Sequence, residues 1–378
     1  MRKYLLSIAV VMVLGISILG LYPMPNSDFY GGKMILMRWC LLAFTGLFVF
    51  KNKWLKAYWV WLVFCLIYAD NTISAYRSYV IFFELLFFQI IYNKLDKKNA
   101  IWILNGICVL GYIQVAWMLA QYYNINFVYI LQEHYQAAPR RFLCGVVGQT
   151  NSAGALIALC TPAFIRAFIY KDFKWAQWWM LLPVMIYGLW LAQSLMAVTA
   201  LAGGLIALYW YSVGKYKVLM TLLIALLVYG YVINNDRQYL RSLGERGDKW
   251  PRVHEQTLNA PIVGYGLNHF YYIFRAMDFK IYNEMGIRKY GRAHNEYLEL
   301  VFNQGYVGLL LMLGFLFSNI IKFLRSKKDY LGWIGFTGVI IAMINSGGHF
   351  LMHYTVALLP LFYMALMCNR TKGEKICL

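Results

Sequence analysis

Charge is what this chain has least of. Only 13% of its 378 residues are Asp, Glu, Lys or Arg, where an average soluble domain carries about a quarter. The acidic share is smaller still, 16 residues against 35 basic ones. With 61% hydrophobic and 18% aromatic residues and a mean hydropathy of +0.54, the composition excludes an ordinary water-soluble globular protein. No disulfide framework or metal-ligand spacing appears among the seven cysteines: Cys40, Cys65, Cys108 and Cys160 fall inside apolar runs, Cys368 and Cys377 near the C-terminal tail, and only Cys144 in an outward segment. There is no repeat of solenoid period, no low-complexity tract and no Asp-x-Asp element of the kind that holds a divalent cation.

What is present is a succession of apolar runs, each close to the roughly 20 residues a helix needs to cross a bilayer core. They predict twelve spans, at 4–22, 33–50, 57–69, 78–92, 100–120, 153–170, 176–192, 195–213, 218–233, 297–319, 331–346 and 355–368. The first is expected to be a retained span, because no small-residue cleavage site follows it. The expected fold is all-α, a polytopic helical bundle forming one membrane domain over residues 1–378. Basic residues mark alternate connections: Lys51, Lys53 and Lys56, then Lys94, Lys97 and Lys98, then Lys171 and Lys174, then Lys215 and Lys217, then Lys322, Arg325, Lys327 and Lys328. By the positive-inside rule this pattern puts both termini in the cytoplasm. Much of the net charge of +19 is thereby topology, and no nucleic-acid partner is needed to explain it.

Two outward segments exceed what a connection requires, residues 121–152 and 234–296, and loops of that length usually carry function. The second holds ten Lys and Arg residues, among them Arg246, Arg275 and Arg292, on the side where basic residues should be depleted. An anionic counterpart is one reading. Pairing with Glu245, Asp248, Glu255 and the other acids of the loop is another. Trp250-Pro251 reads as a helix start, Asn259-Ala260-Pro261 as its end, and Gly264 and Gly266 as a tight turn. Arg246 then lies near a helix N-terminus, where free N–H groups and a guanidinium together suit a phosphate.

The stretch GRAHNEYLELVFNQGYVGLLLMLGFLF, from Gly291, sets polar residues at the threshold of an apolar span. A helix starting near Ala293 or Asn295 places Glu296, Glu299 and Asn303 on one face, with Tyr297, Leu298, Val301 and Phe302 on its apolar sides. His294 sits at the helix start. There it is either a cap or interface residue, or an imidazole able to take a proton from a hydroxyl. Arg38, inside the second predicted span, costs on the order of 2.5–3.5 kcal/mol unless it faces a partner or snorkels to the interface.

Taken together, Arg246, Trp250, Pro261-x-x-Gly264-x-Gly266, His294-Asn295-x-Tyr297-Leu298 and Gly305-x-x-Gly308 resemble the O-antigen ligase family. More widely they resemble the superfamily it shares with O-antigen polymerases and bacterial protein O-oligosaccharyltransferases. The first outward loop agrees: in RRFLCGVVGQTNSAGALIAL, Arg141, Gly145, Gly148, Gln149 and Asn151 stand at the places of that superfamily's Arg, Gly and Gly-Gln-x-Asn element. The resemblance covers about the C-terminal two-thirds of the chain. One departure is Ser194-Leu195-Met196, where relatives often carry a Ser-Arg pair.

The resemblance implies a membrane glycosyltransferase of GT-C-like architecture in the bacterial inner membrane, with its active site and both long loops on the periplasmic face. It implies transfer of a glycan from an undecaprenyl diphosphate carrier to an acceptor hydroxyl of lipid A core, or of a growing glycan, beside membrane lipid. The chemistry is metal-independent and no cofactor is implied. The expected diphosphate ligands are Arg246 and Arg141, with Arg292 and Arg38 in reserve. Asn151, Gln149, Asn295 and Tyr297 are expected to bind substrate. His294 is the expected base, and Glu296 and Glu299 are its competitors. A polymerase or protein oligosaccharyltransferase would use the same donor. A transporter of lipid-linked sugars would instead place its polar residues at mid-membrane in broken helices.

Overall fold

The computed structural model describes residues 49–67, 72–123, 125, 150–170, 181–211, 247, 250–267, 269–270, 293–326, 329–348 and 358–369. The predicted spans 4–22 and 218–233, and nearly all of 33–50, lie outside them. Every element among the described residues is helical: α1 (Lys53–Ile67), α2 (Thr72–Lys94), α3 (Lys97–Tyr122), α4 (Thr150–Tyr170), α5 (Leu181–Ala192), α6 (Leu195–Tyr211), α7 (Glu296–Arg325), α8 (Tyr330–Ser346) and α9 (Leu358–Asn369). Of these, α3 and α7 are long and apolar enough to cross a membrane. Residues 250–257 add a short helical segment.

Short polar side chains set the boundaries. Asp96 accepts the Asn99 N–H at 2.7 Å to start α3, and Asp329 accepts the Gly332 N–H at 2.7 Å to start α8. Each satisfies a donor that the first turn leaves without an intrahelical partner. The sequence reading ended the tenth span at residue 319, but α7 runs on to Arg325. Lys322 and Arg325, expected in a loop, belong to its last turn, where their charges complement the helix dipole. Cys368, expected near a tail, is buried in the last turn of α9.

The chain divides into two compact units. The second unit comprises residues 83–253, 292–299 and 318–378, and α4 runs through its centre. From Ser152 to Arg166 every residue of α4 is buried, which its run of Ala, Gly and Ser allows. Small residues let helix backbones approach closely where lipid offers no hydrophobic contrast. A methyl group on Gly154 would meet the Ser194 side chain at 2.7 Å, and one on Gly335 of α8 would meet the α9 backbone at Met367 at 2.5 Å. Arg166 of α4 is fully buried and donates to Asn105 Oδ1 of α3 at 3.1 Å. That inward cation has no local signal in the sequence, because its partner lies 61 positions away.

The first unit comprises residues 1–82, 254–291 and 300–317. It contains α1, the middle of α7 and the loop that follows the short helical segment. Trp59 is fully buried between Phe50 and Phe82, at ring separations of 5.0 and 4.9 Å. Trp61 of α1 donates its indole N–H to the Gln304 carbonyl of α7 at 2.9 Å.

Candidate functional site

The start of α7 is built around Ala293, His294 and Asn295. Asn295 has extended backbone (φ −153°, ψ 111°), and its side-chain oxygen accepts the Leu298 N–H at 3.1 Å, an N-cap. His294, just before it, has φ +53°. Left-handed backbone is uncommon for a residue with a side chain, though His is among those that visit it. Such conformations cost of order 1–3 kcal/mol and persist where surrounding structure imposes them, often at functional sites.

Here the surroundings are explicit. The Trp250 indole N–H donates to the Ala293 carbonyl at 3.0 Å, and the Ala293 N–H donates to Glu299 Oε2 at 3.3 Å. The backbone N–H of Glu299 donates to the Asn295 carbonyl at 3.0 Å. Ala293 and Glu299 are fully buried and Glu296 is nearly so, while His294 is half-buried. Tyr297 sends its hydroxyl to the Met343 carbonyl in the last turn of α8, at 2.8 Å. The two first-turn glutamates lie at the positive end of the helix dipole, which favours them there. Of the expected face of Glu296, Glu299 and Asn303, all three are buried. It is an inward face.

Further along α7 the helix breaks. Gly305 has φ +67° and ψ −179°, a conformation essentially restricted to glycine. Into the break fits the turn expected at Gly264 and Gly266, whose φ values are +68° and +98°. Tyr265 N–H donates to the Phe302 carbonyl and Gly266 N–H to the Asn303 carbonyl, both at 2.9 Å, while Tyr306 N–H donates to the Pro261 carbonyl at 2.8 Å. Asn303 Oδ1 also accepts the Phe270 N–H at 3.0 Å. The sequence predicted a continuous span here, so the break is a correction: pairing with a loop some forty positions away overrides local helix propensity. The predicted helix at Trp250-Pro251 is observed over residues 250–257, followed by turns from Leu258 to Val263.

The structure thus brings His294, Asn295, Glu296, Tyr297 and Glu299 into one turn, with Trp250 against it. Asn151 is half-buried in the first turn of α4. Arg246, Arg141, Arg292, Arg38 and Gln149 lie outside the described residues. His269 is buried, with Nδ1 3.1 Å from the Leu267 carbonyl, and His254 Nδ1 lies 3.4 Å from the Tyr306 hydroxyl. In the sequence Trp250 stands at a helix start and within a motif, with no partner indicated for its indole. Its indole donor, 43 positions before its acceptor, had no local signal.

These elements, from the start of α4 through the loop turn to the break in α7, fall in residues 141–313, which match the family model described as O-antigen ligase. Over those residues the chain is similar to the O-antigen ligase family. No curated protein matches the chain. At family level this match supports a membrane glycosyltransferase of the ligase and polymerase type. Both glycine motifs of the matched residues have a physical reason here. A methyl group on Gly264 would meet the Asn303, Gln304 and Gly305 backbone at 2.6 Å, and one on Gly305 would run into the Ile262 carbonyl.

Proposed function

We propose that the protein transfers a glycan from an undecaprenyl diphosphate carrier to an acceptor hydroxyl of lipid A core at the periplasmic face of the bacterial inner membrane. In this reading residues 1–378 form one membrane domain of about twelve spans and GT-C-like architecture. Residues 121–152 and 234–296 are its periplasmic loops. The acceptor oxygen attacks the anomeric carbon, the bond from that carbon to the diphosphate oxygen breaks, and the diphosphate leaves with the electron pair. His294 receives the acceptor proton, a role worth typically about 10²–10⁴ in rate. Arg246 and Arg141, with Arg292 and Arg38 behind them, offset the charge that grows on the leaving oxygen. Asn151, Gln149, Asn295 and Tyr297 orient the sugars. Glu296 and Glu299 are the competing carboxylates for the base role. No metal is called upon, because guanidinium groups supply the positive charge.

The observation that carries this reading is the left-handed His294 at the N-terminus of α7, inside the O-antigen ligase match. Left-handed conformations of residues with a side chain cluster at active sites, where the surrounding structure imposes them. The test is the His294→Ala variant, with the lipid-linked glycan that accumulates in a gene-deletion strain as donor. We expect transfer to disappear while expression and donor binding persist. Turnover at the wild-type rate removes His294 from the mechanism. The glycans left in the deletion strain distinguish a lost ligase, which leaves long carrier-linked chains, from a lost polymerase, which leaves single repeat units on core.

A further inference from the structure

We propose that Trp250 and Glu299 are positioning residues that fix the orientation of His294, an inference that rests on His294 being the base. The peptide group joining Ala293 to His294 is held at its carbonyl by the Trp250 indole, 3.0 Å away. The peptide group before Ala293 is held at its N–H by Glu299 Oε2, 3.3 Å away. On the other side of the histidine, the Asn295 carbonyl accepts the Glu299 N–H at 3.0 Å and the Asn295 side chain caps Leu298. One residue, Glu299, therefore grips the chain both before and after His294, through its side chain on one side and its backbone on the other.

Backbone torsions at His294 are set by the planes of the peptide groups that flank it; the one before it is tethered at the Ala293 carbonyl, and the one after it leads into Asn295, which is fixed as the N-cap. That is why φ stays at +53° although relaxation to a right-handed value would relieve strain. The imidazole is aimed by this backbone, so loosening either tether lets it swing. A base displaced by about 1 Å costs on the order of 100-fold in rate. The loss falls on turnover and spares binding of the ground state. Full burial of Glu299 and Ala293 keeps water from replacing either hydrogen bond, and it also removes Glu299 from the face on which an acceptor hydroxyl would arrive. Glu299 thereby moves from competing base to support.

The experiment compares Trp250→Phe, Glu299→Gln, Glu299→Ala and His294→Ala in the purified full-length protein, with the deletion-strain glycolipid as donor, measuring kcat and donor KM separately. Thermal melts check folding. Trp250→Phe keeps the ring and loses the donor; Glu299→Gln keeps an acceptor oxygen. We expect Trp250→Phe and Glu299→Ala to lower kcat about 100-fold at unchanged KM, Glu299→Gln to stay within about fivefold of wild type, and His294→Ala to be inactive. Should Glu299→Ala fail to fold, Trp250→Phe decides alone. The positioning role is overturned, with the base intact, if Trp250→Phe turns over normally while His294→Ala is dead, or if the loss appears in KM alone. It is also overturned if Glu299→Gln is as inactive as Glu299→Ala, because then the carboxylate itself is required. An active His294→Ala instead removes the base, and the positioning role with it.

Discussion

Replacing Gly305 with alanine puts the broken helix to a direct test. The added methyl group runs into the Ile262 carbonyl and comes within 2.7 Å of the Val263 nitrogen, both main-chain atoms that no rotamer change can move aside. The backbone itself, at φ +67° and ψ −179°, costs a residue with a Cβ about 1–3 kcal/mol. Relief requires the loop to withdraw, which gives up the bonds from Tyr265, Gly266 and Tyr306 across the break, each worth about 0.5–1.5 kcal/mol net. Strain and the three lost bonds together come to about 2.5–7.5 kcal/mol. In detergent this should appear as a fall in Tm of about 5–10 °C or more, read by fluorescence-detected size exclusion during heating. Gly106→Ala in α3 is the matched control, because nothing lies within 4 Å of the added methyl there, and it should be neutral or gain up to about 1 kcal/mol from helix propensity. A Gly305→Ala protein melting within about 2 °C of wild type would refute the interlocked geometry.

Three other outcomes are expected. His294→Gly relieves a left-handed backbone that costs about 1–2 kcal/mol, so it should hold or raise Tm while abolishing transfer; a clear loss of stability would mean that the residue serves the fold. Arg246→Lys should lose much of the activity at both limiting and saturating donor and Arg246→Ala more, since an ammonium does not reproduce the guanidinium fork, whereas Arg275→Lys should stay close to wild type; the opposite ranking would show that the wrong arginine had been chosen. Membrane-impermeant thiol labelling from outside should mark Asp278→Cys and spare Lys327→Cys, and the reverse pattern would invert the topology.

The parts of the fold that local chemistry controls were legible in the sequence. The boundaries of α3 and α8 follow from apolar length and from an Asp at each N-cap, and the start of α7 follows from Asn295 with glutamates in the first turn. What escaped reading depends on partners distant in the chain. Glu299 looks like part of a polar face open to substrate, because sequence cannot say that its acceptor oxygen is taken by a backbone six residues earlier. Gly305 looks like one more small residue in a span, because the loop that breaks the helix there lies some forty positions upstream. The sequence brings His294, Asn295, Glu296, Tyr297 and Glu299 to one helix start, where the structure also has them, and the hydrogen bonds that support that start came only with the fold.

The joint between the glycine turn and α7 is made of main-chain groups, apart from Asn303, and this bears on how such a protein can diversify. Ile262, at the tip of the turn, is 66% exposed; it supplies a carbonyl neighbour to Gly305, and its side chain takes no part in the pairing. Side chains at such positions can therefore be exchanged for others of different size and polarity without disturbing the register of the helix they sit against. Change is confined to the rim, and the glycines underneath are left no alternatives. A surface that can be rewritten over a fixed joint is one whose chemistry can drift without refolding the protein.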